Sequence, residues 1–322
     1  MKSLYTNQII QGDAHQKLQT FPANLFQSCV TSPPYYGQRN YGRVPGQIGL
    51  ETTPELYMAR LVEVFRAVRR VLRPDGTLWL NLGDCYVNKE LLGLPWRVAL
   101  ALQADGWFLR ADCIWHKLKP NPENVADRPT RAHEYVFLLS KSARYYYNAN
   151  AIREPQKDYG SAEDLRKRIG RKSYHEGNAD PRGGGLRGKG GFQEWTPHPR
   201  GRNRRSVWSI PTQTLRGTNH FAMMPLALAE ICVLAGTSPY ACQVCSAPWL
   251  EEENETWKPS CACKTDVSPG RCRVLDPFMG IGTSALAALR HGRDYFGIEL
   301  NPDSIEQARL RLAKVQPELW LR

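Results

Sequence analysis

Short apolar runs alternate with helix-period stretches along most of the chain. Gln8-Ile9-Ile10-Gln11 reads as a strand ending at Gly12-Asp13, and Ser28-Cys29-Val30-Thr31 as a second, stopped by Ser32-Pro33-Pro34. Thr53-Pro54-Glu55 carries a cap residue, a first-turn proline and an acid. Leu61, Val64, Phe65, Val68 and Leu72 then recur at helical spacing, up to the turn residues Arg73-Pro74-Asp75-Gly76. The pattern next predicts a strand over 77–82, a helix over 95–104, a strand over 108–115 and another over 134–139. After a break it resumes near Val207. A helix is expected over 225–234, a strand over 273–276, a helix over 283–291, a strand over 294–299 and a last helix over 302–315. Such alternation implies an α/β fold, a mostly parallel twisted sheet with helices on both faces.

The break itself lies between Ala151 and Ser206. Fourteen Lys/Arg face seven Asp/Glu there, with ten Gly and little apolar periodicity. This reads as a loop-rich basic insert within the sheet-forming pattern. Three regions follow: 1–150, the insert 151–206, and 207–322. The whole chain is basic, 43 Lys+Arg against 31 Asp+Glu, which favours a polyanionic partner. No apolar run reaches the roughly 20 residues of a membrane helix, and no signal peptide precedes the first strand, so a cytoplasmic protein is expected.

Two motifs carry chemistry. Asp276-Pro277-Phe278-Met279-Gly280-Ile281-Gly282-Thr283 sits between a strand and a helix, and the next strand ends in Glu299 followed by Asn301. Glycines let a backbone approach a ligand at the carboxyl end of a sheet, and an acid about 20 residues on can hold ribose hydroxyls. The loop lacks the third glycine of a dinucleotide site and begins with an acid. An acid there suits a cationic sulfonium or amino group, which points to S-adenosylmethionine. The second motif is Thr31-Ser32-Pro33-Pro34-Tyr35. Two prolines fix the backbone, so the Ser32 oxygen and the Pro33 carbonyl are held as acceptors, and Tyr35 offers a flat face. Two acceptors can draw the lone pair of a nucleobase amine out of conjugation while an aromatic ring stacks on the extruded base.

With these two loops in this order the chain resembles the β group of DNA amino-methyltransferases, which act on cytosine N4 or adenine N6. The resemblance spans nearly the whole length. It implies the Rossmann-like methyltransferase fold and catalytic roles for Ser32, Pro33, Pro34 and Tyr35. It assigns cofactor contacts to Asp13, His220, Phe221, Ala222, Asp276, Pro277, Phe278, Gly280, Gly282, Thr283, Glu299 and Asn301. Asp127-Arg128-Pro129-Thr130 with His133-Glu134 resembles a further block of the group. The insert takes the target-recognition position, so Arg166, Arg168, Arg171, Lys172, Arg202, Arg204 and Arg205 are expected to meet DNA phosphates. Serine in the first loop position is typical of N4-cytosine members, and N6-adenine is the alternative. A restriction endonuclease reading the same site is an expected partner, and the chain is expected as a monomer or homodimer. Glu123-Asn124-Val125 resembles one element of carbon-5 methyltransferases, but no Pro-Cys accompanies it and it is read as coincidence.

Cys242-x-x-Cys245 and Cys261-x-Cys263 lie fifteen residues apart. Four thiolates so paired suit a structural Zn²⁺ in a small knuckle spanning 240–272, with Cys272 a substitute ligand. A non-catalytic zinc-dependent nucleic-acid-binding module is the remote alternative, and it would not need either loop.

Overall fold

A computed structural model describes residues 5–38, 44–156, 198–213, 223–252, 256–263 and 268–315. Its central feature is an eight-stranded sheet. The first half of the chain supplies β1 (Gln8–Gln11), β2 (Phe26–Thr31), β3 (Leu72–Leu82), β6 (Phe108–Lys117) and β7 (His133–Ser140). The second half supplies β8 (Val207–Ile210), β11 (Arg273–Asp276) and β12 (Asp294–Glu299). The spatial order is β1-β12-β11-β2-β3-β7-β6-β8. Only β7 runs against the rest; the other neighbours pair in parallel. The expected mostly parallel sheet is therefore present.

Helices α1 (Ala14–Gln19), α2 (Pro54–Val71) and α3 (Leu94–Ala104) pack together on one face. Helices α4 (Leu226–Gly236), α5 (Thr283–Arg290) and α6 (Pro302–Ala313) form a second group. Period-2 alternation in β3 explains the first interface. Leu78, Leu80 and Leu82 join Leu61, Phe65 and Val68 of α2 in one buried cluster. Trp79 points the other way and stacks near Tyr147 and Trp208, at 6.5 and 6.3 Å between ring centroids. Thr53 caps α2, its hydroxyl accepting from the Leu56 amide at 3.3 Å, with Pro54 in the first turn.

Arg73-Pro74-Asp75-Gly76 does not separate helix from strand as its composition suggested. Leu72 already pairs with Phe26, and Thr77 with Ser28, so the intervening residues bulge out of β3. A two-residue hairpin of β4 (Tyr86–Val87) and β5 (Glu90–Leu91) follows β3, and β9 (Trp249–Glu251) pairs with β10 (Trp257–Pro259) in the cysteine tract. No helix among the described residues is long and apolar enough to cross a membrane.

Two compact units are distinguished: residues 1–151 with 205–322, and residues 152–204. In the second, Glu154 and Arg202 exchange backbone hydrogen bonds of 3.0 and 2.9 Å. The Arg202 guanidinium reaches the Glu154 carboxylate at 3.1 Å, and Arg204 donates to the Ile152 carbonyl at 2.8 Å.

Candidate active site

Both loops singled out in the sequence leave the carboxyl ends of neighbouring strands. Ser32 follows β2 directly and Asp276 ends β11, and β2 and β11 pair side by side. Residues 245 apart in sequence therefore meet: Thr31 Oγ1 donates to Asp276 Oδ1 at 2.6 Å. The Phe278 amide at 3.0 Å and the Ser284 hydroxyl also donate to the Asp276 carboxylate. The carboxylate thereby ties the glycine loop to the strand that carries Ser32. Burial pushes the Asp276 carboxyl up to about 6, against the pull of Ser284, Thr31 and the Phe278 amide.

Gly280 and Gly282 lie at φ 51° and 79°, where a side chain is strained. A Cβ at Gly282 would also come within 3.1 Å of Ala308 in α6. The turn brings the Gly280 amide to Glu299 Oε2 at 2.7 Å, and Glu299 Oε1 accepts from the Asn301 amide at 2.8 Å. The carboxylate keeps acceptor capacity for a ligand beside these amides. Burial raises the Glu299 carboxyl above its ordinary value. Asp13, at the end of β1, caps α1 through the Gln16 amide at 2.9 Å. Phe278 packs edge-on to Phe65 at 6.3 Å.

A cavity of about 420 Å³ opens between these elements. Asp13, Ser32, Tyr35, Asp276, Gly280 and Glu299 all line it, as do Pro33, Pro34, Pro277, Thr283 and Asn301. The volume lies in the usual range for a nucleoside-sized ligand. Catalytic-loop and glycine-loop residues thus face one space.

On the catalytic-loop side the structure adds groups to which sequence reasoning attached no role. Tyr35 Oη donates to Glu134 Oε2 at 2.7 Å and lies 3.2 Å from Ser32 Oγ. Asn81 donates to Tyr35 Oη at 2.6 Å and to Glu134 Oε2 at 2.8 Å. Lys117 closes the network on Glu134 Oε1 at 2.6 Å. Burial and the Glu134 carboxylate hold the Tyr35 phenol well above its ordinary range. The Tyr57 hydroxyl donates to the Pro34 carbonyl at 3.0 Å, and a Cβ on Gly83 would come within 2.6 Å of the Tyr35 ring. The ring is therefore fixed at its hydroxyl and along one edge. A signal for Asn81 did exist, since an amide inside the apolar run Thr77–Leu82 has to find partners once buried.

The four cysteines Cys242, Cys245, Cys261 and Cys263 converge, with all Sγ atoms within 4.8 Å of one another. A tetrahedral Zn²⁺–thiolate centre places its sulfurs about 3.8 Å apart, so the cluster fits such an ion with small adjustments. Burial raises the Cys242 thiol, but the Cys245 and Val244 amides and neighbouring thiols outweigh it and bring the group down to about 7. Cys272 lies apart, buried and donating to the Tyr240 carbonyl at 3.5 Å, so it is not among the converging thiols. The Ser246 carbonyl accepts from the Gln27 side chain at 2.6 Å, Ser246 Oγ from Arg273 at 3.1 Å, and the Cys245 carbonyl from Arg73. Gln27, Arg73 and Arg273 stand at the amino ends of β2, β3 and β11. The knuckle therefore grips the amino-terminal end of the central strands, opposite the cavity.

Several expected residues lie outside the described ones: His220, Phe221, Ala222, Arg166, Arg168, Arg171 and Lys172. Arg202 pairs with Glu154, and Arg204 donates to the Ile152 carbonyl. Arg205 is exposed, and its carbonyl accepts from Trp208 at 2.7 Å.

Comparison with known proteins agrees with this arrangement. The profile of the DNA methylase family matches residues 26–310. The Type II methyltransferase M.SmaI of Serratia marcescens is 36% identical over 97% of this chain and 92% of its own length. M.Cfr9I of Citrobacter freundii is 35% identical over 94% and 87%. Among solved structures, PvuII DNA methyltransferase (cytosine-N4-specific) shares the fold, with a TM-score of 0.62, 17% identity, and coverage of 98% and 91%. TTHA0409 from Thermus thermophilus, complexed with S-adenosyl-L-methionine, superposes with a TM-score of 0.55 at 23% identity over 96% and 94%. With a Rossmann-like sheet, a Ser-Pro-Pro-Tyr loop and a glycine loop on one cavity, and a family match across most of its length, this chain belongs to the DNA amino-methyltransferase family.

Proposed function

We propose that the protein methylates the exocyclic N4 amine of a cytosine in double-stranded DNA, using S-adenosylmethionine, after the base has turned out of the helix. The observation that carries this reading is the shared cavity, which brings Ser32 and Pro33 to the same space as Gly280 and Glu299. S-adenosylmethionine, when bound, supplies a methyl group that the amine takes by direct displacement. Glu299 offers acceptors for its ribose hydroxyls, Asp13 for its adenine, and the Phe278 and Gly280 backbone borders the nucleoside. Pro277, Thr283 and Asn301 complete this wall. Asp276 keeps the glycine loop and the catalytic loop in register.

Ser32 Oγ and the Pro33 carbonyl grip the amine N–H groups and localise its lone pair. Pro34 is held by Tyr57 and keeps the loop rigid. Tyr35 stacks on the base with its hydroxyl locked by Glu134 and Asn81. Positioning and amine polarisation supply the rate, and no covalent bond to the enzyme forms. Cytosine is favoured over adenine by the Ser32 side chain, and the N4-specific fold neighbour accords with that choice. Arg166, Arg168, Arg171, Lys172, Arg202, Arg204 and Arg205 of the basic insert contribute charge toward the phosphates in this reading, and a cognate endonuclease reads the same site. The Cys242–Cys263 knuckle holds a structural zinc ion.

Incubation of the protein with S-adenosylmethionine and DNA, followed by mass spectrometry of the nucleosides, tests the reading. N4-methylcytosine is expected. N6-methyladenine alone overturns the choice of base. No methylated nucleoside, with no cofactor binding by calorimetry, overturns the reading as a whole.

A further inference from the structure

The β4–β5 hairpin stands where the described fold needs no strand. It is two residues long on each side, pairs with no other strand among the described residues, and carries Val87 and Leu91 exposed at 43% and 48%. Its two-residue tip, Asn88-Lys89, has φ of 50° and 68°. Such a primed turn matches strand twist and makes a tight, stiff hairpin. Residues 87–91 are all exposed.

The base of the hairpin, by contrast, is heavily braced. One Asp84 oxygen accepts the Cys85 amide at 2.9 Å and the Leu94 amide at 3.1 Å, pinning both ends of the excursion. The Asp84 carbonyl accepts from Gln38, beyond the catalytic loop, at 3.0 Å, and from Arg131. Gln38 and Arg131 both line the cavity. Arg128 stacks on the Tyr86 ring at 3.9 Å and pairs with Glu123. A mobile surface turn has no use for so many anchors.

We propose that this hairpin is a wedge that enters the DNA duplex beside the extruded base. Gln38 and Arg131 line the cavity and also hold the base of the hairpin, so DNA that delivers a base to the cavity comes close to the hairpin. Cross-strand pairing places Tyr86 with Leu91 on one face of the ribbon and Val87 with Glu90 on the other, so each face carries one exposed apolar side chain. A thin blade with an apolar group on each side fits between the two base pairs that flank a vacated position, where unstacked bases present apolar surface. Lys89 at the tip is exposed and forms a loose surface pair with Asp127 at 3.7 Å, which a DNA phosphate can displace.

The inference rests on the base-extrusion reading above, and the test separates the two. Val87→Ser with Leu91→Ser leaves the anchored base and the cavity intact. Its methylation kinetics are compared with the unaltered protein on a fully paired duplex and on the same duplex with an abasic site opposite the target. Melting temperature and cofactor binding are followed in parallel. The expected result is a loss of about 10- to 100-fold in kcat/KM on the paired duplex, mostly restored opposite the abasic site, because extrusion is then already cheap. Equal kinetics on the paired duplex, or an equal loss on both substrates, overturns the wedge. No methyl transfer by the unaltered protein on either duplex overturns the reading beneath it.

Discussion

Asp276 carries a charge in a place that resists it, and the cost can be measured. Burial raises its carboxyl from the ordinary 3.8 to about 6. A shift of about 2 units corresponds to roughly 3 kcal/mol between the two protonation states. The sign follows from linkage. Because the folded value is raised, the contribution of this group to stability is fully present below about pH 4 and is lost as pH rises through 6. At neutral pH the folded protein therefore bears the ionised form at a cost. Asp276→Asn removes the titration while keeping an oxygen for Thr31 Oγ1 and the Phe278 amide, and its NH₂ can donate to Ser284. The stability difference, variant minus unaltered protein, should rise by up to about 3 kcal/mol between pH 4 and pH 7.5. In melting temperature that is about 2 °C per kcal/mol for a chain of this size. Urea unfolding across that range measures it. A difference independent of pH would refute the argument. Methyl transfer by the same variant should fall, since an amide holds the junction of the two loops less firmly than a carboxylate does.

Other outcomes follow from the site and the knuckle. Ser32→Ala should lower kcat about 100-fold with cofactor affinity unchanged by calorimetry, because one acceptor for the amine is lost. Tyr35→Phe keeps the ring but leaves Glu134 and Asn81 short of a partner. It should cost about 1–3 kcal/mol of stability in urea unfolding and loosen the ring, raising KM for DNA more than KM for the cofactor. Cys242→Ser or Cys261→Ser should abolish stoichiometric zinc, read by atomic emission, and lower the melting temperature, whereas Cys272→Ser should retain the metal.

Much of this arrangement was legible from residue order. Thr53-Pro54-Glu55 marked the start of α2, and the apolar run at 273–276 marked β11, because caps, prolines and periodicity act locally. The Ser32 and Gly280 loops were legible because each sits at the end of an apolar strand. The bond between Asp276 and Thr31 was not. It depends on which strand lies beside β11, and Thr31 is 245 residues away. The roles of Lys117 and Glu134 were hidden for a related reason. Glu134 stood only as part of a family-like block and Lys117 was not singled out, and the two gain meaning only when β6 and β7 pair and bring them to Tyr35. The pairing of Arg202 with Glu154 was not legible either, because the two lie 48 residues apart.

The pairing of β2 with β11 also bears on how the chain is made. Every residue of β2 is buried, yet one of its two edges stays unfilled until β11 has been synthesised, near the end of the chain. During that interval an apolar strand edge is open to any other extended segment, a known route to misassembly. Contacts of such long range also close slowly. Expression of the N-terminal half alone should therefore give aggregate, while co-expression of the segment carrying β11 and β12 should restore soluble protein.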